Sequence, residues 1–439
     1  MDIRELQWLR VHSQKLDPEL KALLITCYRT AFKVPCFLQK IYRFFQNRFR
    51  RFPVIIQLTP TRDFEAIKEL RSSLSKYKKT VQDLKIINSF SASLSLQAIK
   101  NLTNHSLITK IHLDREIRTL LNVANPAVKT PFLWAKNYTG KGVTIALMDT
   151  GTYPHPDLLL PQNRVIAFKD FVNKQESALY DDNGHGTHCA GSAAGNGYSS
   201  SGQYRGPAYE AEIVSIKILD KKGLGKSSTA IKALEWILAH KKKYNINIIS
   251  LSLGHKASVS YQEDPLCQAL EKAEKAGIVI CTAAGNDGPE PQTINSPGIH
   301  PAFITVGAFD DHNTVEASDD SVAEFSSRGP TIDGLAKPDF LLPGHNIISA
   351  RAKGSLLDKL AKDEVVDDWY LSLSGTSMAA PICAGIIAQL LEAKPDLSPQ
   401  EVKEQLQRSC LRIESADTNT QGSGFLDCSK LLNQNRHCP

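Results

Sequence analysis

The 439-residue sequence has no uninterrupted run of about twenty apolar residues, so no segment reads as a transmembrane helix. Its N-terminus opens on charged and polar residues, and the first apolar run, Ala22–Thr26, is too short for the core of a secretory leader. Cysteine is sparse and scattered: nine residues (27, 36, 189, 267, 281, 383, 410, 428 and 438), an odd number with no CxxC pair and no zinc-type spacing. That excludes a disulfide framework and a zinc module. Cys281 follows Ile278-Val-Ile and Cys383 follows Pro381-Ile, so these thiols are expected to be buried and reduced in a cytoplasmic protein.

What is present is the balance of a soluble globular chain, 42% hydrophobic and 22% charged. At 439 residues it exceeds one ordinary core and suggests two or three units. The net charge of +6 sits at one end: residues 1–52 hold eleven lysines and arginines against four acidic residues. This segment reads as a solvated, helical extension packing on the main body. The rival reading is a peripheral membrane contact, because Ile41, Tyr42, Phe44, Phe45 and Phe49 interleave with Arg43, Arg48, Arg50 and Arg51. No nucleic-acid partner is expected.

Residues 53–121 alternate in pattern. Strands are expected at Val54–Leu58, near Ile86–Leu94 and at Ile108–Leu113, with helices at Arg62–Tyr77 and near Leu96–Asn104. This is a small α+β, ferredoxin-like unit without an ionisable cluster that suggests chemistry. Residues 122–439 form a third, larger unit of α/β class. Near-continuous apolar strands at Val143–Met148, Glu212–Ile218, Ile246–Leu251, Ile278–Thr282 and Ile304–Val306 point to a mostly parallel sheet with helices on both faces. Helices are expected to start near Ser227, Pro265, Ser377 and Ser398, the last with a cap, a first-turn Pro and an early Glu. Sites in such sheets gather at the carboxyl ends of the strands.

Three segments place catalytic residue types there. In Ala146-Leu-Met-Asp149-Thr-Gly151 a single carboxylate closes an apolar strand, which is costly unless it is paired. In Asp181-Asp-Asn-Gly-His185-Gly-Thr-His188-Cys-Ala-Gly, His185 falls in the first turn of a small-residue helix. A helix N-terminus disfavours imidazolium, so His185 is a neutral base unless a carboxylate compensates, and Asp149 is the candidate. In Leu373-Ser-Gly-Thr-Ser377-Met-Ala-Ala-Pro381, Ser377 opens a helix with its own N–H free to face an oxyanion. An acid–histidine pair would supply the base that a serine nucleophile needs. Each segment alone has an ordinary structural reading. Their joint order, Asp then His then Ser, is the subtilisin order.

On these residues the chain resembles the subtilisin (subtilase) family, most closely its intracellular bacterial branch. Ser252-Leu253-Gly254, Ala283-Ala284-Gly285-Asn286 and Phe325-Ser-Ser-Arg-Gly-Pro330 extend the resemblance over 142 to about 430. The resemblance implies a serine endopeptidase with Asp149, His185 and Ser377 as triad and Asn286 as oxyanion-hole donor. One such donor contributes about 3–4 kcal/mol of transition-state stabilisation in that family. It also implies that Ser252–Gly254 and Ala283–Gly285 wall the pocket for the side chain before the cut, and that Gly223-Leu224-Gly225 pairs with extended substrate backbone. Polypeptides are the implied substrates, and residues 53–121 an inhibitory pro-domain cut off between Leu120 and Lys136. No cofactor is required for the chemistry, and the resemblance allows a structural calcium at Asp157. His255 and Leu342 depart from the family pattern without touching the triad.

Of two rival readings, one falls and one remains open. A P-loop at Gly225-Lys226-Ser227 would need glycine where Asp220 stands, which removes the nucleotide reading. A catalytically silent binding protein on the same fold is the functional alternative, against which the intact Asp149, His185, Ser377 and Asn286 weigh.

Overall fold

A computed structural model describes residues 3–16, 20–21, 23–25, 50–59, 70, 81–84, 89–113, 121–175, 178–312, 314–315, 320–414 and 416–432. The chain divides into two compact units, Met1–Ile117 and Arg118–Pro439. The expected helix over Arg62–Tyr77 and the aromatic–arginine run of 41–49 lie outside the described residues, apart from the helical, buried Leu70.

The first unit is an antiparallel sheet of four strands in the order Gln82–Leu84, Ser89–Ser95, Arg51–Leu58, Ile108–Leu113. Alternation explains it. Phe52, Val54, Ile56 and Leu58 point to one face, and Phe90, Ala92 and Leu94 join them, with serines between on the other face. The strand expected near Ile86–Leu94 is found at Ser89–Ser95, residues 86–88 lying outside the described ones, and it pairs with Gln82–Leu84, Gln82 against Ser91 and Leu84 against Ser89. Ser95 caps the helix Leu96–Thr103, which buries Leu96, Ile99 and Leu102 on the same core. Of the segment 1–52, expected as a helical extension packing on the main body, the described Leu9, Leu16, Leu20 and Leu24 share that core.

In the second unit a ten-stranded sheet holds the strands Phe340–Pro343, Ile304–Asp310, Val279–Ala283, Ile246–Leu251, Thr144–Asp149, Glu212–Lys217 and Val165–Asp170 in parallel. They are buried on both faces, as their unbroken apolar runs require. Helices Ser227–His240 and Pro265–Lys275 cover one side. Helices His185–Ala194 and Thr376–Ala393 cover the other. Thr376–Ala393 is long and apolar enough to cross a membrane, but 83% of it is buried in this core. Gly191 lies where a Cβ would strike Ser349 and Ala350, so the small residues of these helices let them sit close to their neighbours. The described cysteines, 189, 267, 281, 383, 410 and 428, are all free, five of them buried.

One buried charge cluster fixes the start of strand Phe340–Pro343. Asp339 accepts from Lys337 at 2.7 Å and pairs with Lys403 at 2.9 Å, and all three are nearly inaccessible. Burial pushes the Lys337 ammonium down to about 7, and the carboxylate is what keeps it charged at all. Asp339→Asn would leave the Lys403 ammonium without its counter-charge and make Lys337 give up its proton, and is expected to cost about 3–5 kcal/mol of stability, measured by denaturant unfolding.

Candidate active site

Asp149 ends Thr144–Asp149, an interior strand of the sheet, and is 3% exposed. Its carboxylate accepts from the Thr150 N–H at 2.7 Å and from His185 Nδ1 at 2.8 and 3.0 Å. The two segments meet because both sides are trimmed. Gly186 has no room for a Cβ against the Gly151 carbonyl, and its N–H donates to Thr150 Oγ1 at 2.8 Å.

Asp181, which the sequence reading gave no role of its own, organises the turn that launches His185. It is buried and accepts from Thr150 Oγ1, from the Asn183 and Gly184 N–H groups, and from the N–H and hydroxyl of Thr187. The helix N-terminus is thereby capped from four residues before His185. The signal was legible as an acid ahead of Asn-Gly at a helix start. Asn183 Oδ1 takes the His185 N–H itself at 3.1 Å.

A second residue missed from sequence is Lys217. It is fully buried in the strand beside Asp149, and Nζ donates to Thr150 O (2.6 Å), Asp182 Oδ1 (2.7 Å) and Leu219 O (3.0 Å). One ammonium thus ties the acid's loop, the histidine's loop and the segment leading to Gly223. Read as one more polar residue in an apolar strand, it carried no signal.

Burial is the largest single influence on His185 and disfavours its charged form, but the adjoining Asp149 carboxylate and Cys189 together outweigh it and leave the pKa well above the ordinary value. The imidazole Nδ1 faces Asp149, so Nε2 is the nitrogen left for a nucleophile. His188, one turn on, is a different case: burial drives its pKa down to about 3, and its Nε2 lies against the Ile347 and Leu371 carbonyls as a structural group.

Ser377 is the second residue of helix Thr376–Ala393. Its hydroxyl donates to the Ser252 carbonyl at 3.2 Å rather than to His185. The two helices are nevertheless adjacent. Cys189 Sγ lies 3.8 Å from His185 Nδ1 and 3.4 Å from the Ser377 carbonyl, which also accepts from Ser252 Oγ at 2.8 Å. Asn286 is held by its oxygen alone: Oδ1 accepts from the Thr376 N–H (2.9 Å) and hydroxyl (3.0 Å). Its amide nitrogen has no partner among the described residues and sits on a cavity of about 210 Å³ that Ser377, Leu253, Gly254, Ala283 and Gly285 also line. Gly375, at φ +152°, lets the chain turn in front of that amide.

Most of the expected cleft residues are here. Gly223, Leu224 and Gly225 share a cavity of about 630 Å³ with His185, Ser252, Leu253 and Gly254. They form a turn closed on Asp220, not a strand: Gly223 N donates to Asp220 O at 2.9 Å and Asp220 N to Leu224 O at 2.8 Å. Ala284 does not belong to the cleft. It is buried with Cys267, Ile294 and Ile299, and its backbone N–H and carbonyl are bonded to Val306 and Asn295.

The calcium expected at Asp157 does not fit the residues around it. Asp157 is buried, Oδ1 accepts from the Ser199 N–H at 2.9 Å and Oδ2 from the Tyr370 hydroxyl at 2.6 Å. Its carbonyl accepts from the buried Arg164 guanidinium, whose charge stands beside the carboxylate. Both carboxylate oxygens are committed within the protein. Among the described residues, the one group of three with metal-ligating atoms mutually within reach is Asp149, His185 and Cys189, the site itself.

A helix-borne serine, an acid–histidine pair and two unspent N–H donors on one sheet edge define a serine hydrolase of α/β architecture. The model of the subtilase family matches residues 140–425. Serine protease AprX of Bacillus subtilis (strain 168) is 45% identical over 438 residues, covering 97% of this chain and 98% of that protein. The major intracellular serine protease of the same organism is 33% identical over 312 residues, covering 68% of this chain and 85% of its own length. Among solved structures, S41 psychrophilic protease superposes with a TM-score of 0.55 at 31% identity, over 66% of this chain and 92% of that one. The chain belongs to the subtilase family, and it is a serine protease.

Two measurements test the site. Only the neutral His185 ring accepts a proton, so activity is lost as pH falls through its raised pKa, and the acid limb of kcat/KM is expected above the ordinary histidine value of about 6.5. Asp149→Asn should move that limb to lower pH and cut kcat by about 10⁴-fold. At the other locus, Tyr370→Phe leaves Asp157 short of a buried donor and should cost about 1–3 kcal/mol in a thermal melt, a loss that added calcium does not restore.

Proposed function

We infer that the chain is an endopeptidase working through an acyl-enzyme, made as a precursor that it processes itself. The observation that carries this is the pairing of His185 with Asp149 at 2.8 Å together with an Asn286 amide anchored through its oxygen so that the nitrogen is unspent. In the reaction, Ser377 Oγ leaves the Ser252 carbonyl, passes its proton to His185 Nε2 and attacks the peptide carbonyl. The oxyanion that forms meets the Asn286 amide nitrogen and the Ser377 N–H, a first-turn donor with no intrahelical acceptor. His185 then protonates the leaving amine, and water attacks the acyl-enzyme by the same route.

Substrate backbone would lie along Gly223–Gly225, where the Gly223 carbonyl and both polar groups of Gly225 have no partner among the described residues. The side chain before the cut would enter the cavity between Leu253–Gly254 and Ala283–Gly285. This supports polypeptide substrates over small esters.

The unit Met1–Ile117 is read as the pro-domain that inhibits this cleft until it is removed. Supporting that, it folds around its own core, and the AprX match runs through it as well. A cut ahead of Ala124 is favoured within the Leu120–Lys136 window, because Ala124, Val128 and Leu133 are buried in the core of the second unit. The likeness to a protease named as intracellular supports a cytoplasmic site of action, in keeping with the free cysteines.

Ser377→Ala should accumulate as an unprocessed full-length chain and take up no fluorophosphonate, while the native chain is shortened and labelled at Ser377, both read by intact mass. Normal shortening of the purified variant would overturn self-processing. A native chain that is cut but never labelled would favour the silent binding protein.

A further inference from the structure

Strands Ile347–Ala350 and Tyr370–Leu373 pair antiparallel, Ala350 facing Tyr370. Such a pair closes with two to five residues, and a much longer connection is usually functional. Here the connection is residues 351–369, containing the helix Leu356–Leu360 and a 3₁₀ turn at Lys362–Glu364.

Its base is clamped. Arg351 pairs with Asp358 at 2.5 Å and donates to the Asp367 carbonyl at 2.9 Å, Asp358 also accepts from the Gly354 N–H at 2.7 Å, and Lys353 lies 3.9 Å above the Trp369 ring. Ser355 caps the short helix. From this base the connection reaches the histidine's own turn: Leu356 N donates to Asp182 O at 2.9 Å and Leu357 N to Asn183 O at 2.8 Å. At Gly184, in the left-handed region at φ +107°, an added Cβ would come 2.6 Å from Ser355 Oγ. The contact is therefore close-packed, and it places Leu357 on the wall of the 630 Å³ cavity beside His185, with Leu219, Leu253 and Leu266 on the other walls.

We propose that Leu357 is a specificity-determining residue: it completes the apolar cavity next to His185, so that a peptide is accepted when it offers this cavity an apolar side chain and discriminated against when it offers an acidic one. The inference rests on the peptidase reading. An extended substrate along Gly223–Gly225 turns alternate side chains to the same face, and this cavity is what that face meets. Truncating one aliphatic side chain in such a pocket changes discrimination by about 10–200-fold.

The test uses the full chain, matured, with peptide anilides that differ only in carrying Phe or Asp at each of the four positions before the cleaved bond. At the position that meets the cavity, Leu357→Ser should reduce the Phe-over-Asp ratio of kcat/KM by tenfold or more, mostly through KM, and Leu357→Met should keep it. A ratio unchanged in Leu357→Ser at every position, or both peptides losing the same factor, would overturn the proposal, the second outcome meaning that Leu357 merely holds the Asn183 turn. Failure of the peptidase reading shows separately, as a native chain that cleaves neither peptide and takes up no fluorophosphonate.

Discussion

A carboxylate at the end of a strand buried on both faces is tenable only if something nearby takes its charge, and most of the site follows from meeting that demand at Asp149. With 3% of its surface accessible, it cannot rely on water. His185 supplies the partner, but His185 opens a helix, whose N-terminal dipole opposes a positive ring. The helix end is therefore answered locally by Asp181, which takes the N–H groups of Gly184 and Thr187. What remains between Asp149 and His185 is a short bond in which the carboxylate decides the ring's proton affinity.

The same demand explains Lys217. A cation with no access to solvent is expensive unless its donors are used, and all three of its bonds fall on segments that the site must hold in register. Strand pairing sets Lys217 opposite Asp149, so the acid and the cation that braces its loop arrive at the sheet edge together. The ten-stranded sheet is in this sense the ruler, and the loops at its carboxyl ends are kept short of freedom by buried polar bonds.

What could be read from sequence was whatever depends on period or on adjacency in the chain. Unbroken apolar runs located four of the seven parallel strands to within a residue and the start of a fifth, Ile304–Asp310, while Val165–Asp170 and Phe340–Pro343 were not expected; Ser398 with Glu401 forms the capping box its spacing implied. The segments of the proposed triad stood out because Asp149, His185 and Ser377 each lie within two residues of a glycine at a strand end or helix start. What failed depends on partners far along the chain. Nothing near Asp157 foretells that Tyr370, more than two hundred residues on, would hold its second oxygen. Leu9 to Leu24 looked like a basic extension because charge was counted and the spacing of leucines onto a distant sheet could not be. Ala284 lies within a segment whose neighbours Ala283 and Gly285 do line the cleft, but one residue past the strand end its side chain packs on Cys267, Ile294 and Ile299 instead.

Catalytic preorganisation is visible in which bonds are made and which are left open. Thr376 spends both its N–H and its hydroxyl on the Asn286 oxygen, and these two bonds determine which end of the amide faces the cleft. Rotating the amide would forfeit both and set two donors against a third. The Asn286 nitrogen is thus aimed before any substrate arrives, and the neighbouring Ser377 N–H is aimed by the helix itself. The serine hydroxyl, by contrast, rests on the Ser252 carbonyl, a single bond that it can exchange for His185. On the proposed mechanism the Asn286 amide is held by paired bonds and the Ser377 hydroxyl by one, so moving that hydroxyl toward His185 would leave the proposed oxyanion donors undisturbed.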